Sequence, residues 1–340
     1  MSVIRVCCVS AIAAALVVLV GCAPSIRLEV TKPAEVNMKG AKKLAVMDYG
    51  FPVPNKSMNA EELLKAAFAK LVGLQVHQEE TPESKVAKCA TTKTTAVLAG
   101  TQYFTILSPS DLSKTLTGGS GQPLSATDIG KKAGAQSIVL GDLEQLTLRD
   151  ADFTETFKNK DGTTSTEYKV KRTVGIQLSY RVISTETGGV LATKTLHGQV
   201  EQVVAAADRR SLSSSEILGC QAIDQVIPAM AKQLAPYKVL ETRTLMKDKT
   251  KNPEFERALN FLKGKMYDKA YEIFTQIYKQ SENISAGYNA AIMKEAMGDL
   301  EGAYNEMTAI ATKTADSNAI REVSRLKNSV EEQKKALSQM

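Results

Sequence analysis

The segment from Thr242 to Asn252 divides this chain into two parts with different hydrophobic periods, and that division limits the folds open to it. Upstream, Val174, Ile176, Leu178, Tyr180 and Val182 alternate with Thr173, Gly175, Gln177, Ser179 and Arg181, the period of two that marks a strand with one buried face. Downstream, apolar residues recur only at helical spacing. The dividing segment is charged, poor in apolar residues and closed by Pro253, the pattern of a linker. We therefore expect an α/β or α+β domain over 42–241 with a mixed sheet and antiparallel hairpins, a linker over 242–252, and an all-α domain over 253–340. The chain is long enough for two domains of ordinary size, each with its own core.

The N-terminus fixes a compartment. Arg5 precedes an apolar run from Val6 to Val20, shorter than the about 20 residues that cross a bilayer. Leu19-Val20-Gly21-Cys22 closes the run, with an aliphatic residue three before a cysteine and a small one just before it. That is the pattern of a bacterial lipobox: residues 1–21 form a signal peptide, Cys22 carries the lipid, and 22–41 are a lipidated tether. The alternative is an ordinary cleaved signal peptide with a chance cysteine. Ala23 and Pro24 in place of an aspartate direct many Gram-negative lipoproteins onward, so the expected location is the outer membrane, facing the periplasm.

Lys and Arg exceed Asp and Glu by 43 to 37, without any basic run, which argues against a nucleic-acid partner. Cys7 and Cys8 leave with the signal peptide and Cys22 takes the lipid, so Cys89 and Cys220 are the remaining thiols in an oxidising compartment. Two outcomes stay open. A bond between them would close a long loop and stabilise by roughly 4 to 5 kcal/mol before strain; otherwise they are two small buried hydrophobes that never meet.

Along the first domain, Lys43 to Tyr49 reads as a buried strand, Ala60 to Leu74 and Glu83 to Leu98 as helices, and Tyr103 to Leu107 as a strand followed by a turn and helix cap at Ser108 to Asp111. A short helix from Asp128 then leads into a strand over Ser137 to Leu148. Asp150 to Lys171 is a polar hairpin centred on Lys160-Asp161-Gly162, and Thr187-Gly188-Gly189 turns the chain into a strand from Val190 to about Val203. His197 to Ser215 is the other hairpin region, and Ser215 to Leu234 is an amphipathic helix.

No catalytic constellation is visible, so no enzyme activity, cofactor or metal is expected. His77 and His197 have neither a second histidine nor a cysteine at ligand spacing. Gly118-Gly119-Ser120-Gly121 lacks the Gly-Lys-Ser/Thr of a phosphate loop. Ser213-Ser214-Ser215-Glu216 reads as a helix cap, and Glu61-Glu62 and Glu79-Glu80 as solvated helix ends.

In the second domain Gly264, Tyr267, Ala270, Tyr271 and Phe274 recur as Gly298, Leu300, Ala303, Tyr304 and Met307. The run from Tyr288 through Ala291 and Gly298 to Ala303 resembles tetratricopeptide repeats. The resemblance implies close helix hairpins packed through Gly264, Ala270, Ala291, Gly298 and Ala303, and a concave groove in which Phe261, Asn289 and Lys294 would hold a peptide. The earlier copy departs from the pattern at Glu254 and Arg257. The repeats either bind a partner or only pad the first domain.

Residues Leu44 to Tyr237 resemble the CsgG family of outer-membrane lipoproteins, the curli secretion channel and its relatives. The resemblance rests on Lys43 to Tyr49, Tyr103 to Leu107 before Asp111-Leu112, Ala133 to Leu143, and Arg181 to Val190. It implies a periplasmic α/β domain and, in the channel proper, two hairpins per subunit that enter a β-barrel. Lipid-facing strands need about 9 to 11 alternating residues with aromatic girdles, which 150–171 and 197–215 do not supply. The expected role is thus a non-enzymatic adaptor or assembly factor of envelope or secretion machinery, binding proteins through the repeats. The alternatives are a subunit of an oligomeric secretion channel and an activator of a cell-wall synthase.

Overall fold

The computed structural model describes residues 23–51, 60–71, 80–116 and 124–340. The expected signal segment 1–21, Cys22, His77, Glu79 and the glycine run 118–121 lie outside them. The first half runs β1 (Ser25–Lys32), β2 (Lys43–Val46), α1 (Ala60–Leu71), α2 (Pro82–Gly100), β3 (Thr105–Leu107), α3 (Pro109–Leu116) and α4 (Ala126–Ala133). Then come β4 (Ser137–Lys158), β5 (Thr164–Ser184), β6 (Val190–Ala205), α5 (Ser215–Leu234) and β7 (Tyr237–Thr244). Five helices close the chain: α6 (Pro253–Lys263), α7 (Tyr267–Ser281), α8 (Ile284–Ala296), α9 (Leu300–Thr314) and α10 (Ser317–Gln339). An α/β region with a mixed sheet and antiparallel strands is thus followed by a helical region.

The residues group into two compact units. One combines Thr31–Val239 with Glu331–Met340 and holds a five-stranded sheet in the order β3-β2-β4-β5-β6. β2 is parallel to β3 and β4, and the remaining pairs are antiparallel. Leu44 and Val46 point into a core with α2 and α5, while Ala45 and Met47 point into a second core with α1, α3 and α4. Burial on both faces explains why β2 is an unbroken apolar run. Gly219 lets α5 close on α2, since a Cβ there would stand 2.8 Å from Val86 Cγ2. Caps fix the helix starts: Thr81 Oγ1 accepts from Ser84 N–H at 3.2 Å, and Ser125 and Asp128 form a reciprocal capping box on α4.

In this unit one expectation holds and two change. The cap expected at Ser108 to Asp111 opens helix α3: Ser108 Oγ accepts from Asp111 N–H at 3.3 Å, Pro109 suits a first helical position, and Leu112 and Leu116 are buried one turn apart. The strand expected to end at Leu148 continues to Lys158. No second hairpin forms over 197–215: β6 runs on to Ala205 beside β5, and a 3-10 turn (Ala206–Ser211) leads to α5. The C-terminal residues complete the unit. Gln339 Oε1 accepts from Ala34 N–H at 2.8 Å, its Nε2 donates to Ala34 O at 3.1 Å, and Ala336 is buried.

The other unit combines residues 23–30 with Leu240–Val330. Helices α6 to α9 pack consecutively, and α8 is enclosed on nearly every side, even at Ser285, Asn289 and Glu295. Ile26 and Leu28 of β1, which pairs with β7, join the helical core. The segment expected as a tether, 22–41, therefore contains a strand whose alternate residues are buried. The segment expected as a linker is also ordered. Leu245 is buried and its N–H donates to Pro24 O at 2.8 Å, and Asp248 accepts from Thr250 N–H, Asn252 N–H and Asn283 Nδ2 at 2.6 to 2.9 Å. Asp248 is thus spent on local backbone bonds, while Lys249 and Lys251 stay exposed.

Candidate functional site

Of the residues expected to line a peptide groove, one is sealed inside the helical core. Asn289 is fully buried in α8: its Oδ1 accepts from Met246 N–H at 2.8 Å and its Nδ2 donates to Met246 O at 2.9 Å. This corrects the role expected of Asn289, because both ends of the amide already bind the chain's own backbone. Lys294 pairs with Asp299 at 3.0 Å and Glu306 at 3.6 Å, and those charges hold its ammonium above the usual lysine range. Phe261 is half-buried against the helical core, with the Arg257 guanidinium 6.0 Å from its ring. Ala270, Ala291 and Ala303 are buried in that core; Gly264 follows α6, and Gly298 follows α8 with a φ of +90°.

The structure brings Cys89 of α2 and Cys220 of α5 together as a bonded pair, with Cα atoms 5.9 Å apart. That separation lies inside the range that a disulfide spans. His197 is exposed on β6 opposite Gln177. Among the described residues no cluster of His, Cys, Asp or Glu has the makings of a metal site.

A different surface stands out. β4 and β5 pair without interruption except for one bulge at Leu143/Gln145, from Ser137 opposite Ser184 out to Lys158 opposite Thr164. From Glu144 outward β4 is almost wholly exposed. At about 3.3 Å per residue this outer stretch is roughly 45 Å long. β6 runs beside β5 as far as Ala205 opposite Lys169, so the base of the arm has three strands and its tip two.

Register assigns the side chains to faces. One face carries Ala151, Phe153, Glu155 and Phe157 of β4 with Lys171 and Lys169 of β5 and Val203 of β6. Lys169 bridges Glu155 and Glu167 there, which raises its pKa. The opposite face carries Leu148, Asp150, Asp152 and Thr154 against Val174, Arg172, Val170 and Tyr168. Arg172 anchors the base: it donates to both oxygens of Asp150 at 2.8 and 2.7 Å and to Ser213 O at 2.9 Å. These bonds hold the Asp150 carboxyl below its ordinary range. Leu148, Phe153, Phe157, Tyr168 and Val203 are all exposed, Tyr168 at 69%.

The hairpin expected over Asp150 to Lys171 forms about its turn at Lys160-Asp161-Gly162, but its continuity with the strands of the sheet is not evident from the sequence. The available signal was the absence of proline between Pro123 and Pro228, together with β-branched and aromatic residues on both sides of that turn.

No protein-family model and no curated protein matches this chain. Among solved structures it is similar to the PelC dodecamer from Paraburkholderia phytofirmans, at 13% identity and a TM-score of 0.27, over 60% of this chain and 96% of that one. It is also similar to lipoprotein GNA1162 from Neisseria meningitidis, at 8% identity and 0.24, over 53% and 92%. A third is the LpoB C-terminal domain from Escherichia coli, at 16% and 0.22, over 48% and 84%. Likeness at this level carries no inference about what this chain binds. Among the described residues no helix is long and apolar enough to cross a membrane.

Proposed function

We propose that this protein is a lipid-anchored lipoprotein of the outer membrane, facing the periplasm, that works without catalysis as an adaptor or assembly factor of envelope machinery. It engages its protein partner through the β4–β5–β6 arm, and not through a groove in the helical unit. The observation that carries this reading is the arm's exposed Leu148, Phe153, Phe157, Tyr168 and Val203 on a continuous strand ladder. Aromatic anchors with polar neighbours are the composition of protein interfaces, and they bind at low entropic cost when the backbone is already ordered. The lipobox ending at Cys22 supports the anchor.

One experiment tests anchor and arm together. Cys22→Ser should release the protein from membranes, whereas Phe153→Ser with Phe157→Ser should leave it membrane-bound and folded but without its crosslinked partner. Unchanged crosslinking in the double variant would place the interface elsewhere. A second reading, a subunit of an oligomeric assembly, is favoured by the arm's edges: beyond Asp142, β4 pairs only with β5 among the described residues, and β6 is an edge strand throughout. The size of the lipidated protein in detergent separates the two.

A further inference from the structure

The sheet unit contains a cavity of about 690 Å³ that the proposed function does not use. It lies at the start of β4, between the Met38 to Ala41 loop, helix α4 and the turn after β5. Its volume falls within the range of small-molecule sites. Met38, Ala41, Ala135 and Leu191 supply apolar wall, and Thr127, Ser137, Ser184, Thr185 and Thr187 supply hydroxyls.

The walls are fixed by the local sequence. Gly130 brings α4 against the turn, since a Cβ there would stand 2.4 Å from Thr185 Cβ. Gln136 Oε1 accepts from the N–H groups of Lys42 and Lys43 at 2.7 and 3.0 Å, which ties the loop to β4. Lys39 is held at a φ of +49°, a conformation costly for a residue with a side chain.

Two further observations point to an occupant. Ser137 is 1% exposed, and its hydroxyl has no hydrogen-bond partner, an unfavourable state for a buried polar group. Lys39, Lys131 and Glu186 all line the cavity, and the Asp128 carboxylate on the same helix as Lys131 offsets part of that lysine's charge. Two cations and one anion around a partly apolar cavity complement a molecule with two carboxylates, one amine and a short apolar middle.

We infer that this cavity binds a small zwitterionic ligand of the acidic dipeptide class, with its carboxylates toward Lys39 and Lys131 and its amine toward Glu186. The Ser137 hydroxyl gains a partner when the cavity is filled. The test uses the full chain released by Cys22→Ser and the dipeptide alanyl-glutamate, followed by calorimetry. Saturable binding is expected, weakened about tenfold by Lys131→Ala and by Glu186→Gln, and weakened again when the dipeptide's amine is acetylated. Ser137→Ala separates a structural role from a binding role: it should raise the Tm of the free protein while lowering dipeptide affinity. Heats that do not saturate by about 10 mM, or an affinity that none of the three substitutions moves, would overturn the inference. Thermal melts of each variant show that the fold persists.

Discussion

Strand β4 passes through two environments within a single hydrogen-bonded ladder. From Ser137 to Leu143 every residue but Asp142 is buried, with helices on both faces; from Glu144 to Lys158 nearly every residue is exposed. The inner stretch is held by burial, at about 1.5 to 3 kcal/mol for each large aliphatic side chain. The outer stretch is held by the backbone ladder and by cross-strand pairs worth about 0.2 to 1 kcal/mol each. Stability therefore constrains side-chain identity in the body and leaves it nearly free in the arm. The aromatic residues of the arm are placed where folding gains little from them, which is the pattern of a surface used by a partner.

The largest expected effect measures that contrast directly. Leu143→Ala should lower unfolding free energy by about 2 to 5 kcal/mol, whereas Phe153→Ala should cost under about 1 kcal/mol, in parallel urea melts. Equal losses would mean that the arm is packed rather than free.

The elements legible in the sequence are those with long, unambiguous periods. Helix α5 matches its expected limits, Ser215 to Leu234, and β5 follows its alternation from Val174 to Val182. The missed elements depend on distant partners. In β1, Ile26 and Leu28 alternate with Arg27 and Glu29, yet so short a run means little until β7 lies beside it. Asn289 is a polar residue on a helix and reads as exposed; only the position of Met246 shows that its amide is spent on the backbone. The C-terminus teaches the same lesson. The sequence presents 242–252 as a linker, but a cut there would remove Gln339 from both backbone groups of Ala34 and strip Ala336 from the sheet unit. The same periodicity argument fails at the cavity, because its residues come from four separate segments.

A middle-sized effect sharpens the boundary of the body. Cys89 and Cys220 join the two helices that cover the inner sheet, so replacing both by serine should cost about 2 to 4 kcal/mol. Hydrogen exchange in the body should quicken while arm amides beyond Arg149 stay unchanged. Non-reducing peptide mapping that recovers both thiols free would remove the bond from the account, and a change confined to the arm would show that the two regions are not energetically separate.

The smallest effect sits where the two environments meet. Burial pushes the Asp142 carboxyl up to about 6, Arg181 draws it down and Glu144 raises it. A carboxyl whose folded pKa exceeds its unfolded value of 3.8 binds its proton more tightly in the native state. Its contribution to stability is thus fully present below about pH 4 and is lost as pH rises to about 6. Asp142→Asn should therefore raise the Tm at neutral pH, and the gain should shrink steadily on acidification and vanish below about pH 4. Tm measured against pH for both proteins checks this. If the difference between them is constant across that window, Asp142 titrates like a solvated carboxylate. The change from body to arm then begins before Leu143, and the outer environment reaches further into the sheet.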